Sequence, residues 1–379
     1  MQGLGRQLGT DVQGSGQPLG ADAQGLEQRP GGSDPRAGRG PESRPKALLL
    51  LPHASFSQII APEVDRSLRE VAEVIDLGGK ADLDALSDGQ QRLQQALLQA
   101  DAVFTSWGSP YLSKELLEQA ARLRFIGHCA GSIRPYVDPF ALEHGITVIN
   151  AARVMGRGVA EMTLLFALAA LRSLVPYQLQ NKPQHRWAAD QPMAGLFEQT
   201  VGLVGLGQVG RQVLQLLRPF HCHVLVYDPY LPDETARTLG VEKAALNEVF
   251  ARSRIISLHA AVTPETTGMI GAEQFAQVQD GAIFINTARG RLVDYEALVE
   301  AARRGRFTIC LDVTDPHEPL PGDSPLWDLP NVLITPHIAG PTPDRRVDMG
   351  QDVIGRWLRF LRGEQIEGVI TLAQYRTMA

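Results

Sequence analysis

The chain has 379 residues, room for two to three domains at roughly 100–200 residues each. It is 44% hydrophobic and 21% charged, the composition of an ordinary globular protein. A net charge of -6 argues against a dedicated nucleic-acid binder, which would normally be basic. Three cysteines (Cys129, Cys222 and Cys310) lie far apart and in no C-x-x-C pair. They predict neither a disulfide framework nor a metal site, and they suit a reducing, cytoplasmic setting. The longest apolar run, 162–171, is too short to span a bilayer, and no basic-then-apolar leader follows Met1, so no membrane association is expected.

Residues 1–45 differ from the rest of the chain. They hold 11 of the 37 glycines, no aromatic residue and a crude repeat, LGTDVQG at 8–14 and LGADAQG at 19–25. So little apolar surface does not offset the entropy of ordering, and the segment reads as a disordered, dispensable extension. From Lys46 onward, short apolar β-like runs alternate with helical patterns. The runs at 47–51, 72–76, 102–105, 124–127 and 146–149 form a first series, with helices at 89–100 and 113–121 between them. A second series occupies 200–204, 223–227, 255–258, 282–286, 307–311 and 332–335. Continuous apolar strands separated by helices predict parallel sheets covered on both faces, hence two doubly wound α/β units. A helix over 159–174 bridges the two series. A second, over 345–361, carries Val353, Ile354, Trp357 and Leu361 at helical spacing and should return to the first unit.

The second series opens on Val204-Gly205-Leu206-Gly207-Gln208-Val209-Gly210, a G-x-G-x-x-G after a strand and at the start of a helix. Gly205 suits the tight turn, Gly207 lets a pyrophosphate approach the backbone, and Gly210 allows close helix packing. Free N–H groups at the helix start receive the phosphates. Asp228 ends the next strand, at about the ~20-residue spacing of the acid that holds the ribose hydroxyls. A carboxylate there repels a 2′-phosphate, and no arginine follows it in Tyr227-Asp228-Pro229-Tyr230. NAD is therefore favoured over NADP.

Six motifs follow one another in order: Val159-Ala160-Glu161, the glycine fingerprint, His259-Ala260-Ala261-Val262-Thr263-Pro264-Glu265-Thr266, Asn286-Thr287-Ala288-Arg289-Gly290, Asp312-Val313 and Thr335-Pro336-His337-Ile338-Ala339-Gly340. In this arrangement residues 46–365 resemble the NAD-dependent D-2-hydroxyacid dehydrogenases. The resemblance implies a Rossmann NAD-binding domain at 151–337, inserted into a discontinuous flavodoxin-like catalytic domain at 46–150 and 338–379. It also implies a homodimer acting on a small 2-oxo or 2-hydroxy acid.

Residue by residue, the resemblance makes Arg289 the ligand of substrate carboxylate and carbonyl, through a bidentate guanidinium fork. It makes His337 the general acid/base and Glu318 the partner that orients its imidazole and favours the cation. Gln208, Val209, His259, Ala260, Thr287, Ala288, Asp312 and Gly340 become cofactor contacts, with Asp312 facing the nicotinamide carboxamide. Ala130, Gly131 and Ser132 become the loop whose backbone binds the substrate carboxylate. The run Asp312-Val313-Thr314-Asp315-Pro316-His317-Glu318-Pro319 is one residue longer than the family's spacing. A strict count puts His317 in the glutamate's place, whereas the following proline selects Glu318, which requires the loop to bulge. Glu318 is preferred here.

An alternative on the same scaffold is a corepressor-like module that senses NAD(H) without turnover. Deleting residues 1–45 should leave thermal stability and NADH affinity unchanged, as read by melting curves and NADH fluorescence; a large drop in either would mean that the segment docks on the body.

Overall fold

The computed structural model describes residues 44–378. Residues 1–43 of the predicted extension lie outside them. Pro45 is already bound to the body, its carbonyl accepting the Glu73 N–H at 2.9 Å, and Arg44 donates to the Ala72 carbonyl at 2.9 Å.

The first sheet contains β1 (Lys46–Leu50), β2 (Glu73–Asp76), β3 (Ala102–Thr105), β4 (Phe125–His128) and β5 (Thr147–Asn150), in the order β2-β1-β3-β4-β5. The second contains β6 (Thr200–Val204), β7 (His223–Tyr227), β8 (Glu242–Lys243), β9 (Ile255–Leu258), β10 (Ile283–Asn286), β11 (Thr308–Leu311) and β12 (Val332–Ile334). Its order is β12-β11-β10-β9-β6-β7-β8, and every pairing in both sheets is parallel. The first is the flavodoxin-like order and the second the dinucleotide-binding order extended by one strand. Each reverses direction once, between β1 and β3 and between β6 and β9. Ligands bind in the crevice that such a reversal leaves at the carboxyl ends of the strands. Strands β3, β4, β9 and β10 are buried at every position, which is why their sequences are mostly apolar, with one polar residue each (Thr105, His128, Ser257 and Asn286). Only β8 escapes the sequence reading, because two residues hold no pattern.

The bridging helix differs from its predicted span. It runs Ala152–Leu171, beginning seven residues early, where the Asn150 side chain accepts the Ala152 N–H at 3.2 Å. It ends at Ser173, whose backbone turns left-handed before a separate helix, Leu174–Asn181. At 20 residues it is long and apolar enough to cross a membrane by length and composition. Here one face packs on the protein, with Gly156, Ala160, Thr163, Phe166, Ala167 and Leu171 buried, while Leu165 on another face is exposed. The Thr163 hydroxyl meets the Thr287 hydroxyl at 3.0 Å, tying the helix to the end of β10.

The late helix, Val347–Leu361, returns to the first sheet. Trp357 is 1% exposed and meets Phe104 of β3 edge-on, with ring centroids 5.3 Å apart. Val353 presses on Gly127 of β4, and Phe360 lies against Phe125. One face of the first sheet is thus closed by residues more than 200 positions away in sequence. Trp357→Ala should cost about 3–5 kcal/mol, the range for truncating a buried aromatic, measurable by denaturant unfolding.

Candidate active site

The cofactor end is built by β6, β7 and β9. Gly205 has φ +92, and a Cβ there would fall 2.7 Å from the Ala260 nitrogen, so the turns after β6 and β9 touch only because this residue is glycine. Gly207 is the N-cap of helix Gln208–Leu217, and nothing approaches within 4 Å of where its Cβ would stand. That open space, beside the free N–H groups of the first helical turn, fits a pyrophosphate. Asp228 holds the arrangement together. One carboxylate oxygen accepts the Leu206 N–H and the other the Tyr230 N–H, both at 2.9 Å. A carboxylate has about four acceptor positions, so two remain for ribose hydroxyls. The residues present therefore suit NAD.

The resemblance makes His259 a cofactor contact. Its two ring nitrogens are buried without a partner among the described residues, and burial pushes its pKa down to about 3.

The chemical end comes from three adjacent strands. Arg289 follows β10, Glu318 follows β11 and His337 follows β12, and neighbouring strands lie ~4.8 Å apart. Asn286 shapes the first loop: its side chain accepts the Ala288 N–H at 3.0 Å and donates to the Arg289 carbonyl at 2.9 Å. A Cβ on Gly290 would overlap the Thr314 backbone, so the Arg289 turn lies directly against the loop of Glu318. The Arg289 guanidinium reaches solvent yet is crowded by protein, which lowers its pKa; the charge of Glu318 acts in the opposite sense.

Thr314 donates its hydroxyl to the His317 carbonyl at 2.6 Å, and Glu318 meets His337 Nδ1 through Oε1. His317 makes no such contact. With Nδ1 occupied, the Nε2 of His337 is the nitrogen left for a substrate.

Asp312 shows a use the sequence did not reveal. It is 2% exposed, and its carboxylate accepts from the Thr335 hydroxyl at 2.5 Å and from the Ile338 and Ala339 N–H groups at 2.8 Å. Three of about four acceptor positions are spent on the loop that carries His337, leaving one for the carboxamide contact expected from the sequence. Thr287 is likewise committed, to Thr163, while Ala288 and Gly340 lie in the loops after β10 and β12.

Across from these loops, the turn after β4 carries Ala130, Gly131 and Ser132. The Ala130 and Gly131 carbonyls are held by Ala151 N–H and by the Asn150 amide, at 2.9 and 2.6 Å. Among the described residues, no acceptor faces the N–H groups of Ala130, Gly131 or Ser132, and Ser132 Oγ is buried without a partner. Cys129 beside them is fully buried and its pKa is pushed up to about 12, so it is an inert thiol.

Asp228→Ala removes the side-chain acceptor of two backbone N–H groups, the same carboxylate that opposes a 2′-phosphate. NADH affinity should fall by about 10-fold or more, and the preference over NADPH should shrink, both read by fluorescence titration. A wild-type preference for NADPH would refute the role of this carboxylate.

Residues 164–339 match the family described as D-isomer specific 2-hydroxyacid dehydrogenase, NAD binding domain. The chain is 34% identical over 286 residues to D-3-phosphoglycerate dehydrogenase of Methanocaldococcus jannaschii, covering 75% of this chain and 54% of that protein. It thus spans about half the length of that relative. It is 31% identical over 310 residues to glyoxylate reductase of Korarchaeum cryptofilum, covering 79% of this chain and 91% of that one. Among solved structures, a phosphoglycerate oxidoreductase from Rhizobium etli superposes with a TM-score of 0.73 at 27% identity, over 86% of this chain and 98% of the other. With two parallel sheets in these orders and an NAD-binding domain in the second, the chain belongs to the D-isomer specific 2-hydroxyacid dehydrogenase family.

Proposed function

We propose that the protein is an NAD-dependent oxidoreductase that interconverts a D-2-hydroxy acid and the corresponding 2-oxo acid. The observation that carries this reading is the His337–Glu318 contact, with the Arg289 turn packed against the loop of Glu318, in the loops that follow three adjacent strands. The bound nicotinamide supplies or receives the hydride. Arg289 holds the substrate carboxylate and carbonyl oxygen in a forked grip, assisted by the N–H groups of 130–132. His337, its Nδ1–H directed to Glu318, gives the proton on Nε2 to the carbonyl oxygen in reduction and takes the hydroxyl proton in oxidation. Glu318 fixes the ring through Nδ1. Asp312 sets the loop from which the ring projects.

In this reading 46–150 with 338–379 form the substrate-binding unit and 151–337 the NAD-binding unit. A homodimer is part of the proposal. Exposed Leu165, Leu174, Leu179, Trp187, Met193 and Phe197 line one stretch of chain, a concentration of apolar surface that suits a second copy. Three free cysteines, two of them buried, support a cytoplasmic setting.

A panel of 2-oxo acids assayed by NADH absorbance tests the reading. NADH binding without turnover of any acid would instead favour the NAD(H)-sensing corepressor-like role. His337→Ala should lower kcat by ~10²–10⁴-fold while NADH still binds. Arg289→Lys should also be severe, because an ammonium does not reproduce the guanidinium fork. Glu318→Gln weakens the contact that orients the His337 ring, so kcat should fall while NADH affinity is unchanged, read by steady-state assay and NADH fluorescence. A silent Glu318→Gln together with a damaging His317→Ala would transfer the role to His317.

A further inference from the structure

The crevice between β1 and β3 contains a cation with no anionic partner. Arg346 lies nine residues beyond His337, immediately before helix Val347–Leu361. Its guanidinium stands over the Trp107 ring, 6.0 Å from the centroid, and Nη1 donates to the Gln58 side chain at 2.8 Å. Its Nε is buried with no hydrogen-bond partner, and it forms no ion pair among the described residues. Neighbouring Arg345, by contrast, faces both Asp344 and Asp348. A half-buried guanidinium with an unsatisfied N–H costs free energy unless a ligand completes it.

The platform beneath it is fixed next to the carboxylate-binding turn. Thr105 pairs with His128, and the Cys129 N–H donates to the Thr105 carbonyl at 2.7 Å. The turn after β3, with Trp107, therefore lies one strand spacing, ~4.8 Å, from the turn that carries Ala130–Ser132 backbone donors. Ser109 anchors it on the other side, donating to the Leu50 carbonyl at 2.6 Å and accepting the Ser106 N–H at 2.8 Å. A substrate whose carboxylate sits on the turn after β4 would have the turn of Trp107 as its neighbour on the adjoining strand.

Resting on the dehydrogenase reading, we infer that Arg346 selects 2-oxo acids carrying a second anionic group, a carboxylate or a phosphate, at the end distant from the reacting carbonyl. Trp107 holds the guanidinium by cation–π attraction and Gln58 orients it. The anion accepts from the exposed guanidinium N–H groups that Gln58 leaves free.

The test compares kcat/KM with NADH within two pairs: oxaloacetate against 2-oxobutyrate, matched in length, for a carboxylate, and phosphohydroxypyruvate against hydroxypyruvate, which differ by the phosphoryl group, for a phosphate. The wild type should favour the anionic member of at least one pair. Arg346→Gln should lower that anionic-to-neutral ratio by about 10- to 100-fold, the worth of one charged hydrogen-bonding contact. Arg346→Lys should retain part of it. A wild-type preference for the neutral member of both pairs, or a ratio unchanged in Arg346→Gln, overturns the inference. Should no 2-oxo acid turn over, the dehydrogenase reading fails separately. Calorimetric titration of succinate against butyrate onto the NADH-bound protein then decides: succinate binding that weakens in Arg346→Gln upholds Arg346 as an anion site, and binding that does not weaken overturns it.

Discussion

The Asp312 carboxylate is the constraint on which the candidate site depends. It sits at the end of β11 and is nearly inaccessible to solvent, so its charge must be met inside the protein. The Thr335 hydroxyl and the Ile338 and Ala339 N–H groups meet it, and the Asp312 carbonyl accepts the His337 N–H at 3.0 Å. Together these bonds wrap the chain around Asp312 and leave His337 at φ 53, in the left-handed region. For a residue with a Cβ that conformation costs roughly 1–2 kcal/mol. Hydrogen bonds to a charged group contribute about 1.5–3 kcal/mol each, so three of them exceed the strain. The imidazole is thereby aimed at Glu318 by backbone geometry, before any substrate arrives.

The same logic of close approach operates around that loop. Gly290 brings the Arg289 turn against Thr314, and Gly158 of the bridging helix packs on the Gly340 carbonyl just beyond His337. The loops after β10, β11 and β12 and the bridging helix therefore constrain one another. Thr163 and Thr287 add a buried hydrogen bond to this contact. Such coupling lets a two-sheet protein place a guanidinium, a carboxylate and an imidazole from separate loops with little freedom, as general acid–base chemistry requires.

The first sheet is completed from a distance. Trp357, Val353 and Ile354 are buried against it, and the helix that carries them begins one residue after Arg346. The segment that leaves His337 therefore performs two tasks in succession: it crosses the crevice with Arg346 over Trp107, then closes the core beneath. A β-bridge between Ile149 and Val369 and the bond from Tyr375 to the Val137 carbonyl continue the closure toward the end of the chain.

Sequence alone determined the class of fold, because buried parallel strands must be mostly apolar and their spacing survives without knowledge of partners. It determined the dinucleotide site for a similar reason: the glycine turn, the helix start and Asp228 are local features of one β-α-β unit. The positions of Arg289 and His337 just past strand ends were legible in their motifs. That Glu318 rather than His317 meets His337 was not, since a bulge in a loop changes the count without changing the pattern. The Asp312 latch and the pairing of Arg346 with Trp107 were equally hidden. They join residues 23 to more than 200 positions apart, and no local periodicity records which buried donor meets which acceptor. The early start of the bridging helix was masked by Gly156 and Gly158, which oppose helix locally but serve packing globally. Patterns of burial and turn chemistry are written along the chain, whereas hydrogen bonds between distant loops exist only once both sheets have formed.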